Sequence, residues 1–195
     1  MIHLRRRLSL TALAVRLVIG TVMATAVGVA DVQAQKPSEY RVKAAYLYGF
    51  GRFVDWPATA PADAGKAFVV CVLGDDPFGR LLDEVATDAV MKDKPVAIRR
   101  ISRVEESGAC HTLFIGASEG ARLGRILDSL GERPVLTVSD APGFAERGGM
   151  IGFFLDDNRV RFTVNLAATQ EAGLRMNSEL LRVAASILKT RPPGD

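Results

Sequence analysis

Histidine is almost absent from this chain. There are two, His3 and His111, and only His111 lies beyond the first 34 residues. A metal centre draws several His, Cys or carboxylate ligands to one point. One histidine beside one cysteine, Cys110, does not supply that, so no metal and no cofactor are expected. A Ser-His-Asp arrangement could use only His111 as its base, and no serine is expected on a nucleophile elbow. The Gly-x-Gly-x-x-Gly and Gly-Lys-Ser/Thr phosphate loops are missing as well. Asp75-Asp76 and Asp156-Asp157 are adjacent pairs whose side chains diverge in a strand or turn, which makes neither a natural acid/base pair. The expectation is a chain that is not an enzyme.

Past residue 34 no apolar run reaches the length of a membrane-spanning helix. Before it, Arg5, Arg6 and Arg7 precede an apolar stretch from Leu8 to Ala30 that only Arg16 and small or hydroxyl residues interrupt. Val32-Gln33-Ala34 then offers small residues where a signal peptidase cuts. This is a secretory signal over residues 1–34, with cleavage expected after Ala34 and export to the periplasm. Arg16 opposes the competing reading, a retained anchor, because a charge at a bilayer centre is costly.

A strong charge imbalance is also lacking. The whole chain has 25 Lys+Arg and 22 Asp+Glu. Four of those bases and one of those acids fall in the signal, which leaves the rest balanced at 21 of each. Nothing electrostatic points to nucleic acid.

What is present alternates in type. Ser38 and Glu39 open an expected helix that runs to about Trp56, where Pro57 stops it. Ala67–Asp76 is a short continuous apolar run ending in turn residues, the signature of a strand buried on both faces. Helical spacing follows over Pro77–Val90, then a strand at Lys94–Ile101, a third at His111–Ser118, a helix at Glu119–Leu130 ended by Gly131, and a fourth strand at Pro134–Asp140. Strands separated by helices imply a parallel sheet. Met150–Asn165 reads as a hairpin around Asp156-Asp157-Asn158. Two helices are expected after it, broken near Gly173, with Asn177 capping the second, SELLRVAASIL. The fold class is α/β: one three-layer domain over residues 35–195, a mostly parallel sheet flanked by helices, with a C-terminal hairpin followed by helices.

The two cysteines, Cys71 and Cys110, fall in the first strand and at the start of the third. Such strands usually lie side by side in a doubly wound sheet. An exported chain meets an oxidising compartment, so a bridge is expected. Two separate buried thiols are the alternative.

Three surfaces could bind something. The strand carboxyl ends place Asp76, Ser118, Ser139 and Asp140 around a crevice of the kind that holds small molecules. The hairpin's second arm alternates Arg159, Arg161 and Asn165 with apolar residues, a face for an anion or a partner. The segment YRVKAAYLYGFGRFVDWP, Tyr40 to Pro57, is chiefly a docking helix. Val42, Ala45, Tyr46, Gly49, Phe50 and Phe53 are expected to face the sheet, and Gly49 and Gly51 to mark close packing against another backbone. Lys43 falls near that apolar side and must snorkel or pair with an acid. As a protein-facing surface the same segment would offer Lys43, Tyr48, Arg52 and Trp56.

Four blocks, YRVKAAYLYGFGRFVDWP, CVLGDDPFG, GACHTLFIG and the run from VLTVSDAPGF to SELLRVA, together resemble the YfiR family of small exported proteins. The resemblance covers Tyr40 to Leu188. It implies a periplasmic α/β domain, often a homodimer. It also implies a partner, the periplasmic sensor domain of a membrane diguanylate cyclase that the best understood member represses, and with it control of cyclic-di-GMP and biofilm formation. The expected partner is thus a membrane signalling protein, a diguanylate cyclase or a sensor kinase, and a periplasmic small-molecule binding component is the alternative.

Overall fold

The computed structural model describes residues 31–58, 60 and 66–189. The described residues from Glu39 onward form one compact unit. Of the other unit, Met1–Ser38, residues 31–38 are described and they are helical. Most of the expected signal segment therefore lies outside the described residues.

Helix α1 runs Asp31–Gly49 and continues as a 3-10 turn, Phe50–Arg52. It starts earlier than the Ser38–Glu39 boundary read from the sequence. After it come β1 (Val54–Asp55), β2 (Phe68–Leu73), α2 (Arg80–Ala86), β3 (Val90–Met91) and β4 (Lys94–Ile101). Next are β5 (Thr112–Ile115), α3 (Leu123–Leu130), β6 (Leu136–Ser139), β7 (Ile151–Asp156) and β8 (Arg159–Asn165). The chain ends in α4 (Leu166–Glu171), β9 (Arg175–Met176), α5 (Ser178–Val183) and β10 (Ser186–Leu188).

Eight strands make one sheet in the order β10-β8-β7-β6-β5-β2-β4-β3. β2 lies parallel between β4 and β5, as expected of the first and third apolar runs. Every residue of β2 is buried, because both faces are covered. Phe68, Val70 and Val72 enter one core with α1 residues Ala44 and Leu47, while Val69, Cys71 and Leu73 enter a second core with Leu123, Ile126 and Leu130 of α3. Period-two alternation thus builds the three layers directly. Cys71 and Cys110 are bonded, with Cα atoms 5.8 Å apart and 39 residues between them in sequence. Closing a loop of that length stabilises the fold by about 4 kcal/mol in the chain-entropy account.

One short strand and the last expected helix depart from the sequence reading. β3 and β4 form a hairpin through Lys92 and Asp93, both at positive φ, without the Gly or Asn that announces such a turn. Val90 therefore pairs with Pro95 where a helix was expected. SELLRVAASIL was read as one helix. It stops at Val183, and residues 186–188 pair in parallel with β8. The open edge of β8 outweighs the helix propensity of three residues.

Candidate functional site

The polar residues at the strand carboxyl ends are bound to one another. Lys43 of α1 is 3% exposed, and its Nζ lies 2.7 Å from Asp140 Oδ2 and 2.5 Å from Glu39 Oε1. The Tyr40 hydroxyl donates to the same Asp140 oxygen at 3.0 Å. Burial, then the Asp140 charge and this hydrogen bond, hold the phenol well above its ordinary pKa. Lys43 thus pairs with acids, as a lysine on an apolar helix face must, and its side chain points inward.

The other three crevice residues are similarly engaged. Asp76 Oδ1 accepts from the backbone N–H groups of Phe78 and Gly79, and Oδ2 meets Arg100 Nε at 2.8 Å. Arg100 also pairs with Asp83, whose carboxyl it holds below the usual range by hydrogen bonding. Ser139 Oγ donates to the Ile115 carbonyl and accepts from Ala141 N–H. Ser118 Oγ accepts from Asp75 N–H at 3.0 Å. A Cβ on Gly116 would stand 2.6 Å from the Asp75 carbonyl, so the ends of β2 and β5 approach too closely there for any other residue.

Residues 116–120 read Gly-Ala-Ser-Glu-Gly, which has the spacing of a nucleophile elbow that the sequence reading overlooked. The geometry is different. Ser118 lies in a 3-10 turn and is not among the residues at positive φ, so the strained elbow is not formed. Glu119 is ion-paired with Arg122, and His111 sits before the opposite end of β5. Among the described residues no cluster of three His, Cys, Asp or Glu could hold a metal.

The hairpin's polar face is divided. Arg159 and Arg161 are exposed, and Arg161 reaches Asp156 at 3.5 Å. Asn165 is 1% exposed: its Nδ2 donates to the Ala145 carbonyl and its Oδ1 accepts from Ala168 N–H, which caps α4. It holds the chain together where a ligand contact was expected.

Helix α1 corrects the wheel reading most directly. Its sheet-facing residues are Lys43, Ala44 and Leu47, continued by Phe50. Val42 is 42% exposed, and the stripe of Val42, Ala45, Tyr46, Gly49 and Phe53 lines an open apolar groove of about 720 Å³. Leu180 and Val183 of α5 form its other wall, and Arg41, Glu179 and Arg182 its charged rim. Gly49 has open space where a Cβ would go, so no close packing explains it. Gly51 does pack tightly, but against the side chains of Phe68 and Met91. Tyr46 stacks with Phe50 at 5.9 Å and meets Phe162 edge-on, which fixes the groove floor.

The four residues expected to meet a partner part company. Tyr48 donates to the Val90 carbonyl and lies under Arg52, whose guanidinium is 5.6 Å from the ring. Trp56 packs edge-on against Phe68. The groove was missed because α1 carries two apolar stripes. The signal that separates them is Lys43, one of whose two acid partners, Asp140, is nearly a hundred residues away in sequence.

Such a layered domain, with an apolar groove and internally tied loops, now meets one comparison: the YfiR/HmsC-like family model matches residues 40–185. The chain belongs to the YfiR/HmsC-like family. The match spans α1 from Tyr40 through α5, and so includes both walls of the groove. Among the described residues of this YfiR/HmsC-like chain, no helix is long and apolar enough to cross a membrane.

Proposed function

We propose that this chain is an exported, non-enzymatic regulator that binds the extracytoplasmic domain of a membrane signalling enzyme, a diguanylate cyclase by family. The observation that carries the reading is the family match over residues 40–185. The groove between α1 and α5 is the surface offered to the partner. Val42 and Val183, 42% and 61% exposed, stand at it. An apolar groove with a rim of two arginines and one glutamate suits an apolar segment with acidic neighbours. Binding one conformation of the sensor lowers output by population shift, and a hundredfold preference corresponds to about 2.7 kcal/mol.

The test is genetic and direct. Deleting the gene in its own cell raises cyclic-di-GMP. Re-expression of the wild type restores the level, while Val42→Glu/Val183→Glu, present at equal abundance, does not. An unchanged cyclic-di-GMP level on deletion removes the cyclase reading. If the double variant instead converts a dimer to a monomer in sedimentation and still represses, the groove joins two copies of this chain.

A further inference from the structure

The groove between α1 and α5 has the size of a small-molecule site and the length of a chain. Its volume of about 720 Å³ lies within the roughly 300–1,000 Å³ that ligand pockets occupy. Its lining on α1 and the following 3-10 turn runs from Arg41 to Phe53, about 18 Å at 1.5 Å per residue. A linear occupant fits such a recess better than a compact ring.

Both walls are helical over most of their length. Helical backbone groups bond along their own axis, so the groove offers no ladder edge to an extended peptide. Whatever lies along it must bring no unpaired polar group of its own. At Gly49 the lining is bare, with nothing inside 4 Å of where a Cβ would stand. The charges stand at the rim. Arg41 and Arg182 are exposed, and neither pairs with another described residue. Glu179 is the one acid beside them, so the rim carries one net positive charge.

We propose that this groove binds a free long-chain fatty acid. The alkyl chain lies along the α1 stripe from Val42 to Phe53, with Leu180 and Val183 opposite. The carboxylate meets the arginine rim, where one negative charge matches one excess cation and a guanidinium pairs with it through parallel N–H···O bonds. This deepens the regulatory reading, because a bound acid covers the surface offered to the partner. Competition with the partner rests on that reading. The acid's own binding does not, so the two fail separately.

The full exported chain, stripped of lipid, is titrated with cis-parinarate, a fatty acid whose fluorescence rises in apolar surroundings. Palmitate, myristate, laurate and methyl palmitate then compete for the site, each kept monomeric. The proposal expects saturable binding and about tenfold weaker competition for every two methylenes removed. Methyl palmitate competes about tenfold less well than palmitate, and Arg41→Met/Arg182→Met narrows that gap. Gly49→Phe fills the recess from a backbone position that is already helical, at φ −62° and ψ −33°, and abolishes binding without loss of fold. No saturable response, equal competition at all chain lengths, or full binding by Gly49→Phe overturns the proposal, as does a response to phosphatidylglycerol vesicles alone. The chain-length series needs no variant, so a poorly folded Gly49→Phe leaves the outcome decisive. Saturable binding by a chain whose deletion leaves cyclic-di-GMP unchanged upholds this site and removes only the cyclase reading.

Discussion

The two ends of the sheet use their polar side chains in opposite ways. At the carboxyl ends of the parallel strands, where open α/β sheets usually hold ligands, Lys43, Asp76, Ser118, Ser139 and Asp140 are all bonded within the protein. At the amino ends, Trp56 Nε1 and Thr112 Oγ1 are buried without a hydrogen-bond partner among the described residues. The usual ligand end has become a fastening between α1 and the sheet, and polar capacity remains at the other end. Position in a fold class therefore predicts where a crevice can form and leaves open whether its groups are free.

The largest effect that would break this comparison lies at the fastened end. Lys43→Ala strands Glu39 and Asp140 without their shared cation, and about 3–5 kcal/mol of stability is lost in chemical denaturation. Lys43→Met combined with Asp140→Asn recovers a large part of that loss. If Lys43→Ala unfolds at the wild-type midpoint, the carboxyl-end network is no fastening.

The next effect belongs to the other end and depends on pH. The folded-state pKa of His111, about 4, lies below its unfolded value near 6.5. Protonation therefore favours the unfolded chain. The stabilisation is complete above about pH 6.5 and is lost as pH falls toward 4, by about 2 to 3 kcal/mol in all. Denaturation midpoints measured across that window fall for the wild type, and His111→Gln removes this component of the slope. An identical slope in both would show that His111 is not held neutral.

The smallest effect sharpens the contrast between buried and exposed ties. Arg100 bridges Asp76 and Asp83, but its side chain is 43% exposed. Arg100→Ala costs about 1 kcal/mol or less, and added salt narrows the difference from wild type. A loss as large as that of Lys43→Ala would mean the Asp76 loop is as rigidly fastened as α1.

Much of the layered fold was legible in residue order. The apolar run Phe68–Leu73, the strand Lys94–Ile101, the Asp157-Asn158 turn and the Asn177 cap were all readable, because each rests on local periodicity or turn chemistry. The bridge between Cys71 and Cys110 followed from strand adjacency. What local pattern could not show was which of two apolar stripes on α1 meets the sheet. That depends on Asp140, a residue distant in sequence. Nor could it show β10, which forms because β8 has an open edge, or a cavity at His111 that gathers residues from four separate segments. The sheet-end crevice was placed by analogy with other α/β folds, and the hydrogen bonds that occupy its residues are specific to these side chains.

The short parallel pairing of residues 186–188 with β8 has a further reach. It begins three residues after Val183, so the outer wall of the apolar groove is moored to the sheet from its far side. Cutting the polypeptide back past Ala185 would slacken that mooring and leave every groove-lining residue in place. The shape of the recess thus depends on a stretch of chain that lines no part of it.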